Sequence, residues 1–106
     1  MRQDLFRGHL ETLLLAVLED GPRHGYAISQ ELALRSGGVL SYPTGSLYPA
    51  LRRLETAGLV QGAWAGDSGR QRRTYELTAA GRRTLAADKQ DWQQFTTAVE
   101  SVLRLT

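Results

Sequence analysis

Cysteine is absent from this chain. No disulfide can staple it, and no thiolate can hold a metal or attack a substrate. Histidine is scarce: His9 and His24 are the only two imidazoles, and neither has a second histidine or a carboxylate at ligand spacing. They read as surface or capping residues. The sequence has no glycine-rich phosphate loop, no HExxH pair and no nucleophile–base triad. Catalysis, a resident metal and a cofactor therefore have no support. No apolar run approaches the roughly 20 residues that a membrane span requires. The start, Met1-Arg2-Gln3-Asp4, has none of the apolar core of a signal peptide. The expectation is a cytoplasmic protein without membrane contact.

What is present fits one small domain of 106 residues, long enough to bury roughly two thirds of its unfolded surface. The net charge is only +2, but it is unevenly spread. Residues 52–83 hold seven arginines against three acidic groups, while the rest of the chain is net acidic. One region therefore suits a polyanion. A solvated arginine face is the plainer reading of such a cluster, unless it coincides with an element that reads nucleic acid.

Leu10, Leu13, Leu14, Val17 and Leu18 form a helical stripe that Gly21-Pro22 ends. A second helix is predicted from about His24-Gly25-Tyr26 to Ser36, closed by Gly37-Gly38. A third begins at Thr44 or Ser46, either of which can cap it. Pro49 belongs in its first turn or so, because a proline deep in a helix costs about 3 kcal/mol. At 100° per residue Leu47, Ala50, Leu51 and Leu54 share one face; Gly45, Pro49, Arg52 and Arg53 share the other, and Tyr48 flanks them. Val60, Gly62 and Trp64 then alternate with their neighbours. Residues 66–69 are a turn cluster, and Arg70–Leu77 alternates again, which predicts a hairpin with a basic tip and near arm. From Thr78 one long helix runs on. Its stripe of Leu85, Trp92, Phe95, Val99 and Val102 has a/d-like spacing, interrupted by Asp88. Gly81 should weaken that helix by about 1 kcal/mol against alanine. The class is mainly α with a small β-hairpin: a winged helix-turn-helix over residues 1–78 and a dimerisation helix over 79–106, in one compact unit.

Thr44, Gly45 and Ser46 are small and polar at a helix N-terminus, which suits a phosphate as well as plain capping. Arg52 and Arg53 fit base-edge or phosphate contacts in a major groove; otherwise they are surface arginines near Glu55. Tyr48 either packs on the flank or reaches the backbone with its hydroxyl. Pro49 either shapes the helix start or touches a thymine methyl. Arg70, Arg72 and Arg73 read as wing contacts to phosphate or minor groove, or as a charged edge that discourages edge pairing. Trp92 and Phe95 lie on a helix that nothing in the sequence covers, which predicts a homodimer through Leu85, Trp92, Phe95, Val99 and Val102. Paired Trp92 side chains, with Phe95, could also line a cavity for a flat hydrophobic ligand.

The runs Leu13-Leu14-Leu15-Ala16-Val17-Leu18, His24-Gly25-Tyr26-Ala27-Ile28 and Gly45-Ser46-Leu47-Tyr48-Pro49-Ala50-Leu51-Arg52-Arg53-Leu54-Glu55 resemble PadR-family transcriptional regulators. So do Gly58-Leu59-Val60 and Arg72-Arg73-Thr74-Tyr75-Glu76-Leu77-Thr78 with Gly81. The match spans about residues 8–81. The resemblance implies a dimeric winged-helix repressor that leaves operator DNA when a small molecule binds. It places Ser46, Tyr48, Pro49 and Arg52 in the major groove and Arg70, Arg72 and Arg73 on the wing. With one helix after the wing, the chain is similar to the short subgroup, some of whose members hold flat aromatic drugs between paired tryptophans; Trp92 occupies that place. Two other classes compete: a winged-helix module for protein–protein contact, and a drug-sequestering protein whose DNA role is secondary.

Overall fold

A computed structural model describes residues 9–66 and 72–105. The elements run α1 (Leu10–Val17), β1 (Arg23–His24), α2 (Gly25–Arg35), α3 (Thr44–Thr56), β2 (Val60–Ala65), β3 (Arg72–Leu77) and α4 (Ala79–Leu103). The winged-helix order holds, with one addition. The hairpin is the larger part of a three-stranded antiparallel sheet ordered β1-β3-β2. β1 pairs Arg23 with Tyr75 and His24 with Thr74.

The apolar stripes meet where their periods place them. Leu14, Leu15 and Val17 of α1 with its C-cap Leu18, Ile28 and Leu32 of α2, and Leu47, Ala50, Leu51 and Leu54 of α3 enclose one core. Val60, Tyr75, Leu77 and Leu85 close it from the wing and from α4. Two helices start on the side-chain caps that suit them. His24 Nδ1 accepts from the Ala27 amide at 3.2 Å and starts α2. Thr78 Oγ1 accepts from the Gly81 amide at 3.0 Å and starts α4.

α3 departs from expectation twice. Its N-cap is Pro43, with no side-chain cap, so neither Thr44 nor Ser46 fills that role. The Pro43 carbonyl instead receives the Ser46 and Leu47 amides at 2.9 and 3.2 Å. Pro49 lies inside the helix, in its second turn rather than its first. The helix tolerates it because the only acceptor it orphans is the carbonyl of Gly45, on the exposed side where water reaches it.

Two residues past the end of α3 stands Gly58, whose φ of +77° favours glycine. There the Leu59 amide reaches back to the Leu54 carbonyl at 2.9 Å and the Gly58 amide to Glu55 at 3.0 Å. The same turn receives α4. The Thr78 amide donates to the Leu59 carbonyl at 3.1 Å and the Thr78 hydroxyl to the Gly58 carbonyl at 2.6 Å. α4 is then held on α1 by Thr12 Oγ1 donating to Asp88 at 3.0 Å and on the turn after α1 by Lys89 pairing with Glu19 at 2.8 Å. Beyond these contacts it projects. The longest dimension is 56 Å and the radius of gyration 15.1 Å, against about 13 Å for a compact domain of this length.

Candidate nucleic-acid interface

α3 is sharply two-sided. Leu47, Ala50 and Leu51 have no measurable exposure and Leu54 has 2%. Thr44, Gly45, Ser46, Tyr48, Pro49, Arg52 and Arg53 are all exposed. The first two amides of α3, those of Thr44 and Gly45, have no acceptor within the helix and point out of its N-terminus. Thus the small polar groups, the tyrosine and the arginines that the sequence placed opposite the apolar stripe do form one continuous surface.

The arginines separate into committed and free. Arg53 Nε pairs with Glu11 at 2.7 Å. Arg23 and Arg35 join Asp20 and Glu31 in a network that ties α2 to the turn after α1. The Glu31 hydrogen bond, helped by the charges of Glu31 and Asp20 against a smaller loss from burial, holds the Arg35 guanidinium above its ordinary range. Arg73 pairs with Glu55. Among the described residues Arg52, Arg72, Arg82, Arg83 and Arg104 have no carboxylate partner. Arg70, expected at the wing tip, lies outside the described residues.

Register decides what the wing presents. Val60, Gly62 and Trp64 stand opposite Leu77, Tyr75 and Arg73. The face nearest α3 is therefore apolar at its root and aromatic-cationic further out. Trp64 is 63% exposed and Tyr26, at the start of α2, 61%. Sequence reasoning assigned neither to a site, although exposed aromatics beside a cationic strand were a signal. They join His24, Gly25, Tyr48 and Arg72 around a cleft of about 480 Å³ between α2, α3 and the wing.

Two contacts define this cleft. The Tyr48 ring lies on Gly25 so closely that a Cβ there would stand 2.7 Å from the phenol oxygen and 2.8 Å from two ring carbons. Glycine at 25 is thus the condition for Tyr48 to lie where it does. Arg72 Nη1 stands 3.1 Å from His24 Nε2. The Arg72 guanidinium thus lies against the start of α2, beside the residue that caps it.

α4 carries the other expected surface, with one correction. Leu85 is 2% exposed, packed in the core of its own chain, and offers nothing to a second copy. The stripe turns outward only after Asp88. Trp92 is 46%, Phe95 57% and Val102 81% exposed, and Val99 is partly buried. The Trp92 and Phe95 ring centroids lie 5.7 Å apart, and the His9 ring stands tilted against Trp92 with its centroid at 4.7 Å. No group of histidine, cysteine, aspartate or glutamate among the described residues could hold a metal ion. Nor is any helix among them long and apolar enough to cross a membrane.

The chain is 43% identical over 70 residues to a transcriptional regulator of Mycobacterium tuberculosis, covering 66% of this chain and 63% of that protein. Its fold is similar to that of a PadR family transcription regulator from Clostridium difficile, with a TM-score of 0.80 and 28% identity over 91% of this chain and 99% of that one. It is also similar to Bacillus subtilis PadR in complex with operator DNA, with a TM-score of 0.68 and 25% identity over 83% of this chain and 48% of that one. The model of the transcriptional regulator PadR-like family matches residues 14–87, which include all of α2, α3 and the wing. The chain therefore belongs to the PadR-like family, whose members are transcriptional regulators and not enzymes.

Proposed function

We propose that this protein binds double-stranded operator DNA as a homodimer, represses transcription there, and releases the DNA when a small aromatic ligand binds. The observation that carries the DNA reading is the two-sided α3: one side wholly buried, the other presented with Arg52 uncommitted and the cationic wing alongside. A helix of 13 residues is about 20 Å long and fits the roughly 12 Å wide major groove. In this reading Ser46, Tyr48, Pro49 and Arg52 face the bases and nearest phosphates. Thr44 and Gly45 offer amides to a phosphate. Arg72 contacts backbone beside the groove. The likeness to a regulator in complex with operator DNA supports DNA as the partner. Residues 1–78 read DNA, and residues 79–106 pair the copies.

Pairing has its own support. Covering the remaining surface of Trp92 and Phe95 would remove on the order of 200 Å² from water per copy, at most about 5 kcal/mol. Val99 and Val102 extend that strip. The same two aromatic rings are the proposed ligand contacts.

The test is affinity for the DNA upstream of the protein's own gene against scrambled duplex at one salt concentration. Preference for the upstream DNA, lost in Arg52→Ala and Arg72→Ala, supports the reading; equal affinity for both duplexes refutes it. Ligand release is tested by fluorescence quenching with planar aromatic cations in a Trp64→Phe background, which leaves Trp92 as the sole reporter. Quenching that persists in a Trp92→Ala protein retaining Trp64 would place the ligand elsewhere.

A further inference from the structure

Arg73 sits on the wing, yet its guanidinium faces inward. It lies flat across Gly62, so close that a Cβ at 62 would meet its Cζ, Nε and Nη2 at 2.8 Å. The guanidinium carbon is 5.8 Å from the ring centroids of both Trp64 and Tyr75. Nη2 donates to Glu55 Oε2 in the last turn of α3. The same Oε2 accepts the Gly62 amide at 3.3 Å. One carboxylate of α3 thus holds β3 through Arg73 and β2 through a backbone amide. Side chains of Arg73 and Glu55 are 34% and 32% exposed, so the pair is shielded more than a free surface pair.

We infer that Glu55, Arg73 and Gly62 form a clasp that fixes the angle of the wing against α3, making Arg73 a positioning residue and not a phosphate ligand. The three residue types follow from the geometry. A carboxylate has enough acceptor capacity for both strands. A planar guanidinium can lie between two aromatic rings while keeping one edge on that carboxylate. Only glycine at 62 leaves room for it. Arg72, one residue earlier, lies against His24 with no carboxylate partner among the described residues, so its charge remains for a partner.

The inference rests on the DNA-binding reading, and the two can fail separately. If Arg73 were a phosphate ligand restrained by Glu55, removing the carboxylate would free a cation and tighten binding. If it is a clasp, removing either partner loosens the wing and weakens binding. Operator affinity and its salt dependence are measured for Glu55→Gln, Arg73→Gln, Arg73→Lys, Gly62→Ala, the Glu55→Gln/Arg73→Gln double variant and Arg72→Gln. Glu76→Gln is the charge-matched control, since among the described residues the Glu76 side chain bonds Gln61 across the wing and no group of α3.

The clasp predicts about tenfold weaker binding for Glu55→Gln, Arg73→Gln and Gly62→Ala, the scale of one charged hydrogen bond. The double variant binds no worse than either single one. Arg73→Lys, which keeps the charge but not the flat group, follows Arg73→Gln. The slope of log affinity against log salt stays at the wild-type value in all of these, while Arg72→Gln lowers it by about 0.9 per copy. Tighter binding by Glu55→Gln than by Glu76→Gln overturns the clasp, as does a slope lowered by Arg73→Gln or an affinity indifferent to all three positions. A DNA-free readout separates the two hypotheses. In a Trp92→Phe background Trp64 emission shifts when Arg73 or Glu55 is neutralised. That shift without any operator binding by wild type sinks the DNA reading and keeps the clasp; operator binding without the shift does the reverse.

Discussion

Replacing Gly81 by alanine separates two physical arguments of opposite sign. By helix propensity the change stabilises α4 by about 1 kcal/mol. The structure reverses this. A Cβ at 81 would stand 2.0 Å from the Leu59 carbonyl oxygen and 3.0 Å from its carbon, both backbone atoms. Ordinary contact begins near 3.4 Å, so the start of α4 must withdraw by about 1.4 Å. That oxygen already accepts the Thr78 amide, and the Thr78 hydroxyl is tied to Gly58, so withdrawal stretches both bonds. Overpacking at about 1–3 kcal/mol plus one or two weakened hydrogen bonds at about 1 kcal/mol each leaves a net loss of roughly 1–4 kcal/mol after the propensity gain. For a domain near this length that lowers Tm by roughly 5–25 °C. Calorimetry or a urea titration of the Gly81→Ala protein measures it. An unchanged or raised Tm would refute the close approach and restore the propensity argument.

Three further substitutions test separate parts of the molecule. Gly25→Ala should displace the Tyr48 ring, cutting operator affinity several-fold while Tm falls by less than for Gly81→Ala, because a side chain yields where backbone does not; equal affinity would show that the Tyr48 position is immaterial. Thr78→Ala should cost about 1–2 kcal/mol through loss of the cap, and Thr78→Ser should recover most of it in the same urea titration. Leu85→Ala should lose about 2–5 kcal/mol of stability, whereas Phe95→Ala should weaken self-association in sedimentation with little effect on the folded monomer; a wild-type monomer at micromolar concentration would remove the dimer from the account.

Much of this was readable in the chain because α3 and α4 are periodic. The spacing of Leu47, Ala50, Leu51 and Leu54 located the buried side of α3, and so its exposed side. Thr78 declared the start of α4. What stayed hidden depends on residues far apart. The partner of Arg73 is Glu55, 18 positions away, and that of Arg53 is Glu11, 42 away; charge counting sees four similar arginines there. β1 is two residues long and exists only because β3 passes beside it. Leu85 was in phase with Trp92, but the stripe changes partner along the helix: Leu85 packs into its own core and Asp88 meets Thr12. A period identifies a face, not its owner. Gly81 carried the opposite lesson, since a glycine kept for close approach looks the same as one that merely weakens a helix.

The short strand β1 changes the mechanics of the wing. A two-stranded ribbon anchored only at Val60 and Leu77 is a cantilever six residue pairs long, about 20 Å. β1 braces β3 at Thr74 and Tyr75, which moves the support outward. Only the pairs Trp64–Arg73 and Ala65–Arg72 overhang it within the paired strands, about 7 Å. Compliance falls steeply as free length shortens. The wing is therefore a strut braced against the start of α2 through β1 and against the end of α3 through Glu55, and a force on its outer pairs is shared between these two supports.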